Sequence, residues 1–181
     1  SFMRFVEYRV PAILEQSRRV LAIPTKKTVL PLVTHLSMTE MQAILDAPDP
    51  STRDGVRDRA MLHLAFTGGL RVSELVGLKL SDATFRAGYV DIRVMGKGRK
   101  QRLLTLWKTI AGSLRAWLSI RGDVSVPELF VNARAQPLTR SAFKHILKKH
   151  VPPAADNCPS LKTQRVSPHV CRHTCALNTL Q

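Results

Sequence analysis

Acidic residues run short in the second half of this 181-residue chain. Residues 92–181 contain three, Asp123, Glu128 and Asp156, against 16 lysines and arginines, whereas residues 1–91 carry 10 acids against 12 bases. Of the formal net charge of +15, the second half therefore holds +13. Long apolar runs are also missing. None approaches the roughly 20 residues that span a bilayer, and the opening SFMRFVEYRV lacks the layout of a signal peptide. Nor does any basic helix carry a bulky apolar face without an obvious core role, so no membrane partner is expected and a cytoplasmic location is. Cysteine is scarce. Cys158, Cys171 and Cys175 are odd in number and lack a framework spacing, which argues against a disulfide scaffold and for a reducing compartment. Aromatic residues make up only 6% of the chain, too few to build the stacking platform of a single-stranded RNA-binding domain. Tyrosine occurs twice, at Tyr8 and Tyr89.

What is present is enough apolar material, 44% of residues, for one core and a small appendage. A +13 half attracts a polyanion and gives it sequence-independent affinity through counterion release. Along the chain, residues 1–21 place Phe2, Phe5, Val6, Ile13 and Leu14 at helical spacing, interrupted by Pro11. The next stretch, IPTKKTVLPLVTHL, has no helical period and reads as an extended linker over residues 22–36. A new unit opens at Ser37, which with Glu40 forms a capping box ahead of a short helix ending near Pro48. A second helix is expected over roughly 56–67, with Met61, Leu64 and Ala65 on its inner face and Gly68-Gly69 as its stop. A third begins at RVSELVGL. The period then changes to alternation: Thr84–Arg86, the run through Val90, Ile92 and Val94, and QRLLTLW predict a three-stranded antiparallel meander turning through Ala87-Gly88 and GKGRK. Helical spacing resumes at Ile110, Leu114, Trp117 and Leu118, stopped by Gly122, and again at Phe143, Ile146 and Leu147 behind a Thr139 cap. The expected fold class is mainly α with a small three-stranded antiparallel β-sheet.

Three short stretches carry chemistry. In SPHVCRH, Ser167 is placed to cap a helix that starts at Pro168, and Arg172 follows His169 by three residues, some 60° around the helix, so both project from one face near the N-terminus. That end favours an anion. His and Cys alternate here, yet Cys171 and Cys175 point roughly 200° and 240° away from His169, so a zinc site is not expected and both cysteines are read as small core hydrophobes. In TGGLRVSEL, Arg71 falls in the first turn of a helix, where it opposes the dipole, with Glu74 one turn on to orient its guanidinium. In MGKGRKQR, Lys97, Arg99, Lys100 and Arg102 crowd a hairpin tip without an acid among them, a pattern that fits a phosphate-gripping surface, a catalytic element or the protection of an edge strand.

Taken in order over residues 37–181, these stretches resemble the catalytic domain of the tyrosine recombinases, the phage integrase and Xer family: TGGLRVSEL its first arginine box, GKGRKQRLLTL its β-hairpin lysine segment, SPHVCRH its H-x-x-R box. The resemblance implies a site-specific recombinase that breaks and rejoins double-stranded DNA through a 3'-phosphotyrosyl link, with neither metal nor nucleotide cofactor. By the same implication Arg71 and Arg172 grip one phosphodiester, His169 assists proton transfer, Lys97 protonates the departing 5'-oxygen, Glu74 supports Arg71, and Arg99, Lys100 and Arg102 contact DNA. Residues 1–21 resemble the last helix of the family's separate N-terminal DNA-binding domain. One element departs from the pattern: Tyr8 and Tyr89 both precede the H-x-x-R box, so the nucleophile and the second His or Trp of the site are expected beyond Gln181, in a longer protein that acts as a homotetramer on paired sites. A type IB topoisomerase and a non-catalytic DNA-binding protein of the same fold stay open as alternatives.

Overall fold

A computed structural model of the chain describes residues 2–24, 35–96 and 100–178. The chain divides into two units, Ser1–Leu32 and Val33–Gln181. In the first, helix α1 (Phe2–Arg9) is followed by a 3-10 turn, Pro11–Ile13, and helix α2 (Leu14–Leu21). The break falls at Pro11, which has no N–H to continue the first helix. Most of the expected linker, residues 25–34, lies outside the described residues.

In the second unit the sequence signals turn into geometry. Ser37 and Glu40 form the expected capping box at the start of helix α3 (Met38–Asp46): the Ser37 hydroxyl accepts from the Glu40 N–H, and the Glu40 carboxylate accepts from the Ser37 N–H at 2.8 Å. Helix α4 (Arg53–Thr67) starts earlier than its apolar spacing indicated, because Thr52 caps it through a 3.0 Å bond from the Gly55 N–H. It is also buried almost all round from Ala60 to Phe66 and not on one face only. The reason is tertiary: α3, a short helix α5 (Val72–Val76), helix α6 (Lys108–Arg121) and helix α8 (Pro168–Asn178) pack around it. Helix α7 (Arg140–Asn157) packs on α3, α5 and α8 and runs on through Pro152 and Pro153.

Strands β1 (Ala83–Arg86), β2 (Tyr89–Met95) and β3 (Gln101–Trp107) form an antiparallel sheet in the order β1-β2-β3. Register follows the alternation. Val90 pairs with Leu106, Ile92 with Leu104 and Val94 with Arg102, which puts these side chains on one face. Val90, Ile92, Val94 and Leu106 are buried there. The largest core side chain is Trp117. Its indole N–H donates to the Leu129 carbonyl at 2.9 Å, its ring stacks on Phe130, and the Arg53 guanidinium lies over it at 5.1 Å. The mainly helical fold with a three-stranded meander is therefore the one expected. Among the described residues, no helix is long and apolar enough to cross a membrane.

Candidate active site

Two helix starts build the site. At the first, α4 stops at Gly68, and Gly69 takes φ +54°, a conformation that residues with a Cβ rarely adopt. A methyl group at Gly69 would in addition sit 3.1 Å from the Cys175 sulfur. This turn delivers Arg71 to the N-cap of α5 with an extended backbone, φ −66° and ψ 148°. The Glu74 carboxylate then reaches back to the Arg71 N–H at 2.9 Å and also accepts from Arg71 Nη1 at 2.9 Å.

The second start is α8. Ser167 Oγ accepts from the Val170 N–H at 3.4 Å and Pro168 opens the helix, as the sequence indicated. Val170, Cys171 and Thr174 face inward, and Thr174 Oγ1 accepts from the Leu36 N–H at 3.0 Å. His169 is left exposed and Arg172 half-buried on the opposite side. Arg172 Nη1 donates to the Gly69 carbonyl at 2.6 Å, so the glycine turn that presents Arg71 also anchors the second guanidinium. Cys171 is a core residue whose thiol is pushed up by burial to about 12. Cys175 differs from expectation. It is half-buried and donates to the Thr67 carbonyl at 3.1 Å, clipping α8 to the end of α4.

Arg71, His169 and Arg172 line one pocket of about 310 Å³, together with Val72, Ser73, Pro168 and Arg140. No carboxylate is among these lining residues. A larger cavity of about 360 Å³ brings Asp54, Arg57 and His145 together, but Arg57 there is already paired with Asp54 and Asp58. Two forked, permanently charged donors and an imidazole around a water-accessible concavity suit a tetrahedral oxyanion, since guanidinium N–H groups match phosphate oxygens in pairs. Arg140 was absent from the sequence reading. Its signal is local: it directly follows the Thr139 cap and so stands in the first turn of α7, opposing the dipole, whereas Arg71 occupies the N-cap of α5 and not its first turn.

The Glu74 side chain is 6% exposed, and it holds more than Arg71. Arg102 Nη1 and Nη2 donate to its two oxygens at 3.2 and 2.7 Å. Burial alone would raise the Glu74 pKa, but the hydrogen bonds from Arg102 and from the Arg71 side chain and N–H outweigh it and bring it down to about 2. This corrects the expectation for Arg102, which does not stand free at the hairpin tip: as a β3 residue in register with Val94 it turns to the sheet's inner face and into Glu74. Lys100 is exposed, and its carbonyl accepts from the Gly96 N–H at 2.8 Å. Lys97 and Arg99 lie outside the described residues. Tyr89 pairs with Trp107 in the sheet and does not line the pocket, and Tyr8 belongs to the first unit. Among the described residues, no group of three His, Cys, Asp or Glu side chains is arranged to hold a metal ion.

The Phage integrase family is matched over residues 34–181. The chain belongs to this family. Among its relatives, y4rC of Sinorhizobium fredii, which carries the name integrase/recombinase, is 42% identical over the whole of this chain and 54% of its own length. The tyrosine recombinase XerC of Myxococcus xanthus is 37% identical over 99% of the chain and 60% of its own. The family fold is matched in solved structures too. A XerH site-specific recombinase bound to a palindromic difH substrate in a post-cleavage complex superposes with a TM-score of 0.68 at 27% identity, covering 84% of this chain and 43% of that one. XerA recombinase, at 23% identity, gives 0.70 over 98% and 62%. The chain thus spans about half to three-fifths of the length of y4rC and of this XerC.

Proposed function

We propose that this chain is the greater part of the catalytic domain of a site-specific DNA recombinase. The observation that carries the reading is the single pocket lined by Arg71, His169 and Arg172. In this reading the two arginines hold the non-bridging oxygens of one phosphodiester and offset the charge that develops as the phosphorus becomes five-coordinate. His169 donates to the same phosphate, and Glu74 fixes the Arg71 fork. Lys97 protonates the 5'-oxygen as it leaves, and a tyrosine downstream of Gln181 attacks the phosphorus, so that a 3'-phosphotyrosyl bond keeps the energy of the broken linkage for rejoining. The reaction so written calls on no metal or nucleotide cofactor.

Double-stranded DNA as partner is supported by the surplus of 13 positive charges over residues 92–181 and by the palindromic difH substrate bound in the XerH complex. Arg99 and Lys100 serve as backbone contacts in this reading. Residues 1–21 are the end of a separate DNA-binding domain, residues 22–36 its linker to residues 37–181, and the full-length protein assembles as a homotetramer on paired sites in the cytoplasm. The test is covalent capture. Full-length protein carrying the downstream tyrosine, incubated with its duplex target, is expected to give a protein–DNA adduct that survives denaturant and is linked through the 3' end. Binding without any adduct would overturn the enzymatic reading in favour of a non-catalytic DNA-binding protein, and relaxation of supercoiled plasmid without paired sites would replace recombinase with topoisomerase.

Arg140 gives a second check. If it meets the DNA backbone beside the pocket, Arg140→Ala weakens duplex binding by a similar factor on every sequence and makes the slope of log affinity against log salt shallower by about one. An unchanged slope, read by fluorescence anisotropy across a salt series, would remove Arg140 from the interface.

A further inference from the structure

We infer that Arg102 is a positioning residue of the reaction, which shares the Glu74 carboxylate with Arg71 and so keeps the Arg71 fork turned to the phosphate. The inference rests on the reading in which Arg71 grips that phosphate. Its basis is the division of one buried carboxylate between two arginines. Oε1 accepts from Arg71 Nη1 at 2.9 Å and Arg102 Nη1 at 3.2 Å, while Oε2 accepts from Arg102 Nη2 at 2.7 Å and the Arg71 N–H at 2.9 Å. Arg102 therefore holds Glu74 with two fork nitrogens and Arg71 with only one. The Arg71 side chain is 53% exposed and lines the pocket, whereas Arg102 is 35% exposed and does not.

The consequence is electrostatic and geometric together. A carboxylate facing one guanidinium favours the two-nitrogen fork, which is the strongest pairing the groups can make. Glu74 alone with Arg71 would close on it in that way, turning the fork from the pocket and neutralising its charge. With Arg102 already on both oxygens, Arg71 is limited to a single side-chain bond, and two cations against one anion leave a net positive charge on the Arg71 side. Arg102 also ties two separate elements, β3 and α5, so the sheet and the arginine box are held in one register.

The experiment is single-turnover DNA cleavage by full-length protein, with duplex affinity measured in parallel. Arg102→Ala is expected to slow cleavage at saturating DNA by about 10²-fold, the size of effect that a misplaced catalytic group produces, with little loss of affinity. Adding Glu74→Gln to that variant removes the charge that captures Arg71 and should return most of the lost rate. A residue that merely cross-links the fold would not be rescued in this way. If Arg102→Ala melts below the assay temperature, Arg102→Lys keeps the charge without the fork and should give an intermediate rate. The inference is overturned if Arg102→Ala cleaves like wild type, if its only defect is weaker binding with a shallower salt slope, or if Glu74→Gln deepens the loss. Arg71→Ala separates the two levels. An inactive Arg71→Ala beside a fully active Arg102→Ala sinks this inference alone, while a fully active Arg71→Ala sinks the functional reading beneath it.

Discussion

Replacing Arg172 by alanine is expected to slow formation of the covalent DNA adduct on the order of 10³-fold, within the range seen when a positioned donor or arginine is removed from a developing oxyanion. Binding should suffer much less, because Arg71, Arg140 and the remaining basic residues still face the duplex. The fold should survive. Helix α8 keeps its buried Val170 and Cys171 and the Thr174 bond to Leu36, and among the described residues the hydrogen bond lost is that from Arg172 Nη1 to the Gly69 carbonyl. Lysine at this position restores the charge but cannot offer two parallel N–H groups, so Arg172→Lys should recover a minor part of the rate. The measurement is the time course of adduct on a denaturing gel under single-turnover conditions. An Arg172→Ala protein that forms adduct at a rate near wild type would show that this guanidinium does not touch the reacting phosphate.

Asp58→Ala is expected to destabilise the second unit by about 3–5 kcal/mol without touching the pocket. Asp58 is fully buried in α4. Its Oδ1 accepts from Arg57 Nε at 3.0 Å and Arg57 Nη2 at 2.7 Å, and its Oδ2 lies 2.9 Å from His150 Nε2 on α7. The truncation leaves Arg57 buried with only Asp54, at 2.9 Å, as an acidic partner, and cuts the polar link between α4 and α7. Burial would raise the Asp58 pKa, but the His150 hydrogen bond and the adjacent Arg57 charge overcome it and hold it below the ordinary value of 3.8. The sign of the pH effect follows. A carboxylate depressed on folding stabilises the native state fully above its unfolded pKa and loses that contribution as pH falls through the folded one. The difference between wild type and Asp58→Ala in urea denaturation should therefore be full at pH 7 and shrink below about pH 4. A loss below about 1 kcal/mol at neutral pH would mean that water replaces the carboxylate at little cost.

Much of this arrangement was legible in the chain because its determinants are local. Ser37 and Glu40 are three residues apart, as are Arg71 and Glu74, or His169 and Arg172, and one helical turn fixes the geometry of each pair whatever surrounds it. The hairpin was legible for the same reason: alternation about Val90, Ile92 and Val94 settles which side chains share a face. Applied strictly, that alternation also places Arg102 with Leu104 and Leu106 on the inner face. Its reading as a tip residue followed the charge of its neighbours instead of the period of its strand. The true start of α4 does not show in the apolar spacing because Thr52 precedes it, and its near-complete burial does not show because it depends on four other helices, two of which, α6 and α8, are distant in sequence.

The elements, their order and the two helix starts on which Arg71, His169 and Arg172 are displayed follow from local chemistry along the chain, since caps, turns and periodicity act over a few neighbouring residues. Packing between segments is what brings Arg71 and Arg172 into one pocket, lets the Gly69 turn serve both guanidinium groups, adds Arg140 to them and sets Arg102 against Glu74. Those outcomes depend on which helix faces pack around α4 and on how few partners a buried carboxylate can find, and such choices are made between segments, after each has taken its own shape.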